Sequence, residues 1–370
     1  YSKVLLSAEA AMNGHEVYFG KLTPFLLKNV FKPGIVHFKS ITPGISRINE
    51  LKFLKKKKFL TTSLDEEHGL INDYNDYGNY RYSPKSFDLI SKVFTWGKFD
   101  FKTLLKKYPK YKNKLVKSGN PRVDFWRKDF KNFFSNQPNL NLKDYILLGA
   151  NFEGFGYKTL NDRIKFHSKT GYFQRGVSKT KMINKYKQSI RLFKLYENTI
   201  KKISNLYKDI KIVIKTHPKD NPSLWKKKFR KFKNILIVSD GIISDWISNA
   251  KIVIHAGCTG GLEASLREKF TISYYPLKIN HGHKFADLFS QKIYEERILL
   301  KKINEVYKNL KFKNKFKPTK INERAFNYYG RRSYKTIIRT WTELGKKIIF
   351  KRNNIFFLKI LFFLLDIKLK

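Results

Sequence analysis

The sequence predicts an α/β protein made of two Rossmann-like, doubly wound domains. Its second half alternates short apolar runs, such as IKIVI, NILIVS and KIVIHAG, with stretches of helical periodicity. That alternation is typical of a largely parallel sheet covered by helices, and the first half shows a similar pattern. A polar, Asn-rich segment without periodicity, residues 132–144, separates the halves, and 370 residues suffice for two domains of ordinary size.

The elements of the first half follow one another at short intervals. A helix is predicted from Lys3 to Asn13, where Gly14 ends it, and the strand HEVYFG comes next. Further strands are predicted at IVHFKS, KFLTTSL and KVFTWG, with turns or helices between them. Because the sequence starts at Tyr1 and not at a methionine, we expect residues upstream of it.

The second half restarts with the strand YILLGANF and a long helix from about Lys179 to Leu206. The strands IKIVIKTHP and NILIVS, the short helix SDWISNA, the strand KIVIHAG, a helix from about Gly261 and the strand FTISYYP come next. Helices are also predicted from Asp287 to about Leu310 and over 323–347. The expected organisation is therefore an N-terminal domain over 1–130, a C-terminal domain over 140–320, a helix over 321–348 packing back across the junction, and a basic, apolar tail over 349–370.

The composition favours polyanionic partners. Lysine and arginine number 77 against 29 acidic residues, a formal net charge of +48. The candidate partners are therefore nucleic acid, anionic lipid and phosphorylated substrates. The chain has no zinc-finger spacing, no RNP-type aromatic motif and no low-complexity basic tail. We therefore expect no nucleic-acid partner and favour an anionic membrane surface and a nucleotide-linked substrate.

Cysteine content and hydropathy bear on the compartment. The single cysteine, Cys258, excludes an intramolecular disulfide framework and favours a reducing, cytoplasmic compartment. No apolar run reaches the roughly 20 residues of a spanning helix. The nearest approach is the C-terminal IFFLKILFFLLDIKLK, which Lys359 and Asp366 interrupt. We expect the tail from about Ile349 to lie on the inner membrane surface, the alternative being a helix docked on the protein's own core.

The stretch IVIHAGCTGGLEASL, residues 252–266, is a candidate anion site. A buried strand ends there in small residues, and a helix N-terminus, with its unpaired N–H groups, follows. Glu263 is a candidate partner for ribose hydroxyls. The alternative is a tight turn in which His255 is a satisfied core residue and Glu263 a capping carboxylate. The candidate residues of this turn are His255, Gly257, Cys258, Thr259, Gly260, Gly261 and Glu263.

Two other strand ends of the second half add candidates. Lys215, His217 and Pro218 close the strand IKIVI, where an imidazole and an ammonium group suit a phosphate; the alternative is a surface turn. Asn151 and Glu153 lie in NFEGFGY, a glycine-containing loop that fits neither the dinucleotide fingerprint nor the P-loop. Ligands of open α/β sheets bind outside the carboxyl ends of the strands, where all of these residues fall.

The first half contains an acidic cluster in an otherwise basic chain. Asp65, Glu66 and Glu67 directly follow a predicted strand in TTSLDEEHGL. Adjacent carboxylates can supply a nucleophile or a general acid/base. The alternative is a helix N-terminus whose acids complement the helix dipole. We interpret the two halves together as a transferase, with donor binding in the second half and carboxylates in the first.

These segments in this order resemble the bacterial surface carbohydrate biosynthesis protein family of GT-B glycosyltransferases. The matching pieces, between residue 4 and about residue 276, include LLSAEAAMNGHEVYFG, HFKSITPG, LDEEHGL, SGNPRVDFWR, KTHPKDN and WISNAKIVIHAGCTGGLEASLREKFTISYYP. The second half is more distantly similar to capsule Kdo transferases and CDP-glycerol glycerophosphotransferases. The first strand of the family pattern is absent, and the tail after about residue 345 is outside the match.

The resemblance implies roles for several of these residues. His217 would contact the donor phosphate or acidic sugar, His255, Thr259 and Gly260 would cradle the nucleotide, and Glu263 would bind its ribose. Asn120 and Arg122 of GNPR would lie at the hinge between the domains.

The function that follows is a metal-independent glycosyltransferase of capsule or lipopolysaccharide assembly that needs no cofactor. It would transfer an acidic sugar, Kdo or a nonulosonic acid, from a CMP-activated donor to a glycan or lipid-linked glycan acceptor at the inner membrane. The enzymatic alternatives are a CDP-glycerol-type polyol-phosphate transferase and a sugar-nucleotide 2-epimerase of the same fold. The non-enzymatic alternative is a basic protein that binds nucleic acid or membranes.

Overall fold

The computed structural model divides the chain into two units. One unit comprises Tyr1–Arg127 and Pro318–Lys370, and the other comprises Lys128–Lys317. The first unit is therefore discontinuous in sequence, because the chain leaves it after Arg127 and returns at Pro318. The residues that the structure describes are 1–20, 32–66, 78, 81–127, 130, 142–149, 152, 159–169, 173, 178–217, 220–277, 284–308, 325–327, 330–349 and 359–363.

The first unit has a six-stranded sheet in the order β1-β12-β2-β3-β4-β5, and all of its pairings are parallel. Helices connect β2 to β3, β3 to β4 and β4 to β5, as parallel strands require a crossover connection. Its elements are α1 (Ser2–Met12), β1 (Glu16–Gly20), β2 (Ile35–Phe38), α2 (Ile45–Lys56), β3 (Leu60–Leu64), α3 (Pro84–Leu89), β4 (Lys92–Thr95), α4 (Lys98–Lys107), a 3₁₀ helix (Pro109–Lys114), β5 (Leu115–Lys117), α5 (Pro121–Asp124), α13 (Ser333–Ile349) and β12 (Lys359–Phe363).

Local signals in the sequence explain several of these boundaries. Helix α1 ends just before Gly14, whose φ of 81° is the left-handed conformation that glycine adopts without a Cβ clash. Helix α3 begins with a capping box, in which Ser83 and Ser86 each accept the other's backbone N–H at 3.0–3.1 Å. Phe87 of this helix stacks on Tyr82 and Tyr111 in the core.

The C-terminal helix α13 belongs to the first unit and packs against α1 and α5. Asp124, which is fully buried, accepts hydrogen bonds from the Ser333 backbone N–H and hydroxyl at the start of α13. The indole N–H of Trp341 donates to the Thr62 hydroxyl on β3 at 3.0 Å. This helix is thus fixed at its N-terminus by a capping carboxylate and in its middle by the sheet.

The C-terminal segment contradicts the expected membrane-lying tail at residues 359–363. These residues form β12, which pairs in parallel with β1 and with β2. Two neighbouring strands satisfy the backbone N–H and C=O groups of β12, so this part of the tail is an internal strand of the sheet. The sheet has six strands because β12 fills the place between β1 and β2.

The second unit has a six-stranded parallel sheet in the order β11-β10-β9-β6-β7-β8. The chain starts in the middle at β6, adds two strands on one side and then three on the other, which is the doubly wound order of the Rossmann fold. Its elements are β6 (Tyr145–Gly149), α6 (Leu160–Lys169), α7 (Lys179–Leu206), β7 (Ile212–Lys215), α8 (Pro222–Phe229), β8 (Ile235–Val238), α9 (Ile243–Ile247), β9 (Ala250–His255), α10 (Thr259–Leu266), β10 (Phe270–Tyr274), α11 (Lys284–Asp287), β11 (Gln291–Ile293) and α12 (Glu296–Tyr307).

The core of the second unit lies between the sheet and the long helix α7. Phe193 and Tyr196 of α7 pack with Phe152 and with Trp225 of α8, with ring centroids 5.0–5.9 Å apart. The predicted helix over 287–310 is shorter in the structure, since residues 291–293 form β11 and α12 starts at Glu296. None of the helices in the described ranges combines the length and the apolar character that a membrane crossing requires.

Candidate functional site

The candidate site of the second unit is the carboxyl edge of its sheet between β6 and β9. The strand order reverses between these two strands, and the crevice at such a switch point is where open α/β sheets bind ligands. Gly149 ends β6 and lies opposite His255, which ends β9. A Cβ at Gly149 would lie 3.2 Å from the Cys258 Sγ, so a glycine here leaves room for the turn that follows β9.

His255 supports this turn from inside the protein. Its side chain is fully buried, and its Nδ1 accepts the backbone N–H of Gly257 at 3.0 Å. Its Nε2 lies 2.8 Å from the Ser290 hydroxyl, which itself donates to the Ala286 carbonyl. The ring is therefore neutral and carries its proton on Nε2. Both ring nitrogens are bound within the protein, as expected for the alternative of a satisfied core residue, and a contact of His255 with the nucleotide stays a prediction.

Buried hydroxyls and a carboxylate surround the same ring. The Asp287 carboxylate accepts hydrogen bonds from Ser273 at 2.6 Å and from Tyr275 at 2.7 Å, and the Ser273 hydroxyl lies 3.3 Å from His255 Nε2. Burial lowers the pKa of His255 to about 3. The network therefore holds the turn after β9 in one conformation with a neutral imidazole.

This burial gives a measurable pH dependence. His255 takes up a proton near pH 6.5 when the protein unfolds and only near pH 3 when it is folded, so stability falls as pH drops through this window. We expect His255 to lower the free energy of unfolding by up to about 2 kcal/mol between pH 7 and pH 5. Urea titrations at several pH values give the free energy of unfolding of the wild type and of His255→Asn, which keeps an acceptor near Nδ1. The contribution of His255 is the difference between the two proteins in how steeply this free energy changes with pH. Parallel pH profiles for the two proteins would contradict it.

Helix α10 presents its first backbone N–H groups at the switch point. The Gly257 and Cys258 N–H groups are directed to His255, and the Gly261 N–H donates to the Cys258 carbonyl at 3.1 Å. The Thr259 N–H has no acceptor within a helix that starts at Thr259, whereas the Gly260 N–H is directed at the Cys258 thiol. A Cβ at Gly260 would lie 2.4 Å from Ile243 Cδ1, so α9 packs directly on this turn.

Glu263 occupies the inner side of α10. Its side chain is 4% exposed and forms an ion pair of 3.2 Å with Arg267, one turn later. Arg267 also donates to the Ser244 carbonyl on α9 at 2.8 Å. The carboxylate joins α10 to α9 through Arg267, and the ribose contact of Glu263 stays a prediction.

The end of β7 brings two of the three predicted residues to the carboxyl edge of the sheet. Lys215 is buried and its ammonium group donates to the Ser239 carbonyl at 2.6 Å. Burial lowers the pKa of Lys215, although the charges of Asp240 and Asp245 raise it. His217 is half-buried beyond the strand end, and its backbone N–H donates to Asp220 at 3.2 Å. Pro218, Asn151 and Glu153 lie outside the described residues.

In the first unit, two of the three acidic candidates follow β3 and both are ion-paired. Asp65 is buried and bound by Arg81 through two hydrogen bonds of 2.7 Å. Glu66 lies 2.9 Å from the Lys3 ammonium group and is one-third exposed. Burial raises the pKa of Glu66, but the charges of Lys3, Arg122 and Lys39 outweigh it and leave that pKa below its ordinary value. Glu67 lies outside the described residues.

Asn120 lies in a polar network at the point where the chain leaves the first unit. Its backbone N–H and C=O both bind the Asn327 side chain, at 3.1 and 2.9 Å, and its own side chain caps α5 through the Arg122 N–H. Gly119 has a φ of 83°, and a Cβ there would lie 2.1 Å from Asn327 Oδ1. The GNPR motif thus anchors the returning segment near residue 327, and the hinge role of Asn120 and Arg122 stays a prediction.

The sequence analysis missed the residues that hold these candidates in place. Most of them lie far along the chain from their partners, so nothing local identifies them. Arg267 is the exception, because its i,i+4 spacing from Glu263 is that of a helical ion pair. A second signal is the scarcity of acids in a basic chain, and it applies to Asp124 and Asp287. The missed residues are Arg81, Asp124, Arg267, Ser273, Tyr275, Asp287, Ser290, Asn327 and Ser333.

Comparison with known proteins finds similarity at the level of structure. No family model matches the chain, and no curated protein matches its sequence. The UDP-GlcNAc 2-epimerase of Methanocaldococcus jannaschii in complex with UDP-GlcNAc and UDP superposes with a TM-score of 0.51 at 18% identity, covering 86% of this chain and 78% of that one. The wall teichoic acid polymerase TagF, an H444N variant soaked with CDPG, gives 0.50 at 11% identity, covering 85% and 73%. The chain therefore has the GT-B type of α/β fold, with two doubly wound units, as the sequence predicts.

Proposed function

We propose that this protein is an enzyme of surface-glycan assembly that binds a nucleotide-activated sugar at the start of helix α10. The observation that carries the proposal is the switch point of the second sheet, where α10 begins at Thr259, shortly after His255, which pairs with Gly149 of the neighbouring strand. A helix N-terminus and a glycine at the facing strand end suit a phosphate ester. The structural neighbours, one in complex with UDP-GlcNAc and UDP and the other soaked with CDPG, support a nucleotide-linked ligand.

The reaction that we propose is glycosyl transfer from a CMP-activated acidic sugar, such as Kdo or a nonulosonic acid, to a glycan or lipid-linked glycan. The cationic character of the chain favours a donor with both a phosphate and a sugar carboxylate. His217, at the end of β7, would contact the sugar carboxylate or the phosphate. Independence from metal and cofactor remains part of this proposal.

A second candidate follows from the structural neighbours. An epimerase acting on a UDP-sugar, or a transferase acting on a CDP-linked polyol, would use the same switch point. The candidates differ in the nucleotide, because CMP-sugars carry one phosphate and the other two donors carry a diphosphate. The ranking of CMP and CDP against UDP therefore separates the epimerase from the two transferases. Transfer of a polyol phosphate from a CDP-linked donor leaves CMP, so the two transferases are separated by a CDP-linked polyol as the ligand and not by CMP.

The experiment is a ligand-dependent thermal shift with CMP, CDP and UDP at equal concentration, since a ligand stabilises the protein by RT ln(1 + [L]/Kd). We expect CMP to give the largest shift. We also expect His217→Ala to weaken its binding by about 1–3 kcal/mol, the range for a lost hydrogen bond to a charged group. Glu263→Gln, which keeps the size of the side chain, should lower the melting temperature and leave the CMP affinity unchanged.

Two results would decide against parts of this proposal. A larger shift with CDP or UDP would replace the CMP-linked donor by a diphosphate donor at the same site. No shift with any of the three nucleotides, for a protein that melts cooperatively, would reject the switch point as a nucleotide site.

A further inference from the structure

The second unit carries a basic surface on helix α8 and the turn after it, here called the α8 surface. Trp225 and Phe229 are one turn apart on α8, and both are buried against the core. The cations between and after them are exposed, and apart from Lys228, which pairs with Glu197, they form no ion pair within the described part of the chain. The α8 surface consists of Lys226, Lys227, Arg230, Lys231 and Lys233.

The carboxylates beside the α8 surface are engaged elsewhere. Glu197 on α7 pairs with Lys201 at 2.7 Å and with Lys228 at 2.9 Å. Asp220, which precedes α8, accepts the Trp225 indole N–H at 3.2 Å and the His217 backbone N–H. The five cations are therefore not neutralised by these neighbours, and they are directed at solvent.

The α8 surface continues to a corner of the sheet that lies away from the candidate nucleotide site. The Asn234 side-chain N–H₂ group donates to the Ser204, Tyr207 and Ile210 carbonyls at 3.0–3.2 Å and thereby joins the end of α7 to the start of β8. Two exposed leucines flank this corner, Leu206 at 58% and Leu236 at 38% exposure. It lies at the amino ends of β7 and β8, whereas α10 begins at the carboxyl edge of the same sheet.

We propose that the α8 surface binds an anionic lipid bilayer. Lysine ammonium groups attract acidic headgroups as point charges, and exposed leucines beside them can enter the interface. Single-stranded nucleic acid is bound with the help of exposed aromatic rings on which bases stack, but the aromatic residues of α8 are buried. The proposal concerns a surface remote from the donor site and does not depend on which nucleotide is bound.

The experiment compares two quintuple variants that lose the same charge. One replaces the five residues of the α8 surface by Gln. The control replaces five exposed lysines of the first unit by Gln, at Lys52, Lys56, Lys85, Lys102 and Lys106. Co-sedimentation is measured with vesicles of phosphatidylcholine alone and with added phosphatidylglycerol at about 0.1 M salt, and melting temperatures verify folding. A fluorescent DNA oligonucleotide is titrated at the same salt concentration.

We expect the wild type to bind only the vesicles that contain phosphatidylglycerol, and the α8 variant to lose about tenfold or more of this binding. The control should lose less than about threefold, because its cations lie outside the proposed contact. Equal losses of vesicle binding in the two variants would show that binding depends on net charge alone and would overturn the proposal. Undiminished vesicle binding by the α8 variant would also overturn it. Tighter binding of the oligonucleotide, abolished in the α8 variant alone, would assign the surface to nucleic acid. We expect the nucleotide-induced thermal shifts of the α8 variant to equal those of the wild type. The vesicle experiment then tests the membrane surface independently of the proposed nucleotide site.

Discussion

We expect the Glu66→Gln variant to lose on the order of a hundredfold or more of its turnover number while its nucleotide affinity stays nearly unchanged. A general acid/base or nucleophile contributes at least that much to the chemical step, and the donor is proposed to bind in the other unit. Glu66 is the candidate because it is partly exposed at the end of β3. The nearby cations lower its pKa, so that it is ionised at neutral pH, as a general base or a nucleophile must be.

The pH profile follows from the same shift. A carboxylate whose pKa lies below its ordinary value keeps its charge at mildly acidic pH, so activity should persist as pH falls toward the usual carboxyl range and decline below it. The measurement is nucleotide release from the best-binding activated donor in the presence of acceptor, as turnover number and KM separately. If the turnover number of Glu66→Gln is within a few-fold of the wild-type value, Glu66 has no catalytic role and serves only as the ion-pair partner of Lys3.

Asp65→Asn is the matched control for this experiment. Arg81 binds both carboxylate oxygens of Asp65, which is 2% exposed, so the amide should lower the melting temperature. Its turnover number should stay close to that of the wild type in the protein that remains folded. If Asp65→Asn instead abolishes turnover without affecting stability, the catalytic assignment moves from Glu66 to its neighbour.

The Gly261→Ala variant should destabilise the second unit by about 1–3 kcal/mol or more, the range for forcing a group into a filled space. An added Cβ at Gly261 would lie 2.2 Å from His255 Cδ2 and Nε2. Hydrogen bonds at both nitrogens hold this ring in place, so it cannot move aside. Without the clash, replacing a helical glycine by alanine would stabilise the protein by roughly 1 kcal/mol. The sign of the effect is therefore diagnostic.

Denaturant unfolding of Gly261→Ala and of Gly44→Ser tests this point. Gly44 caps α2 with an extended φ of −130° and has open space at its Cβ position. Serine is a favoured N-cap residue, so Gly44→Ser should leave stability unchanged or slightly raised. Because His255 orients the turn before α10, Gly261→Ala should also lose its nucleotide-induced thermal shift. A stable Gly261→Ala variant would show that the turn is not held by the ring.

The sequence predicts the elements whose signals are local. The apolar periodicity from Lys179 to Leu206 marks α7 at its observed boundaries, and the runs KIVIHAG and IKIVIKTHP coincide with β9 and β7. It does not predict β5, β11 or β12. The first two have only three residues each, too few to show a pattern, and β12 is defined by its pairing with strands from the other end of the chain.

The sequence likewise predicts only part of the candidate site. Its position at the end of β9 is readable from the small residues that follow the strand. The orientation of the side chains is not. His255 is held by Ser290, which is distant in sequence, and the i,i+4 spacing of Glu263 and Arg267 does not show that their ion pair is buried against α9. A histidine in a strand-to-helix turn is equally compatible with a ligand contact and with a buried support, and only the packing distinguishes them.

The discontinuity of the first unit has a consequence for the order in which the protein folds during synthesis. Translation delivers residues 1–127, then the whole of the second unit, and only then α13 and β12. Until Trp341 emerges from the ribosome, the Thr62 and His37 side chains lack the ring that covers them in the finished protein. The nascent first unit therefore remains incomplete, with part of its sheet uncovered, until the second unit has been synthesised. We therefore expect chaperones to contact mainly the first unit during this interval, and we expect this contact to depend on the speed of translation.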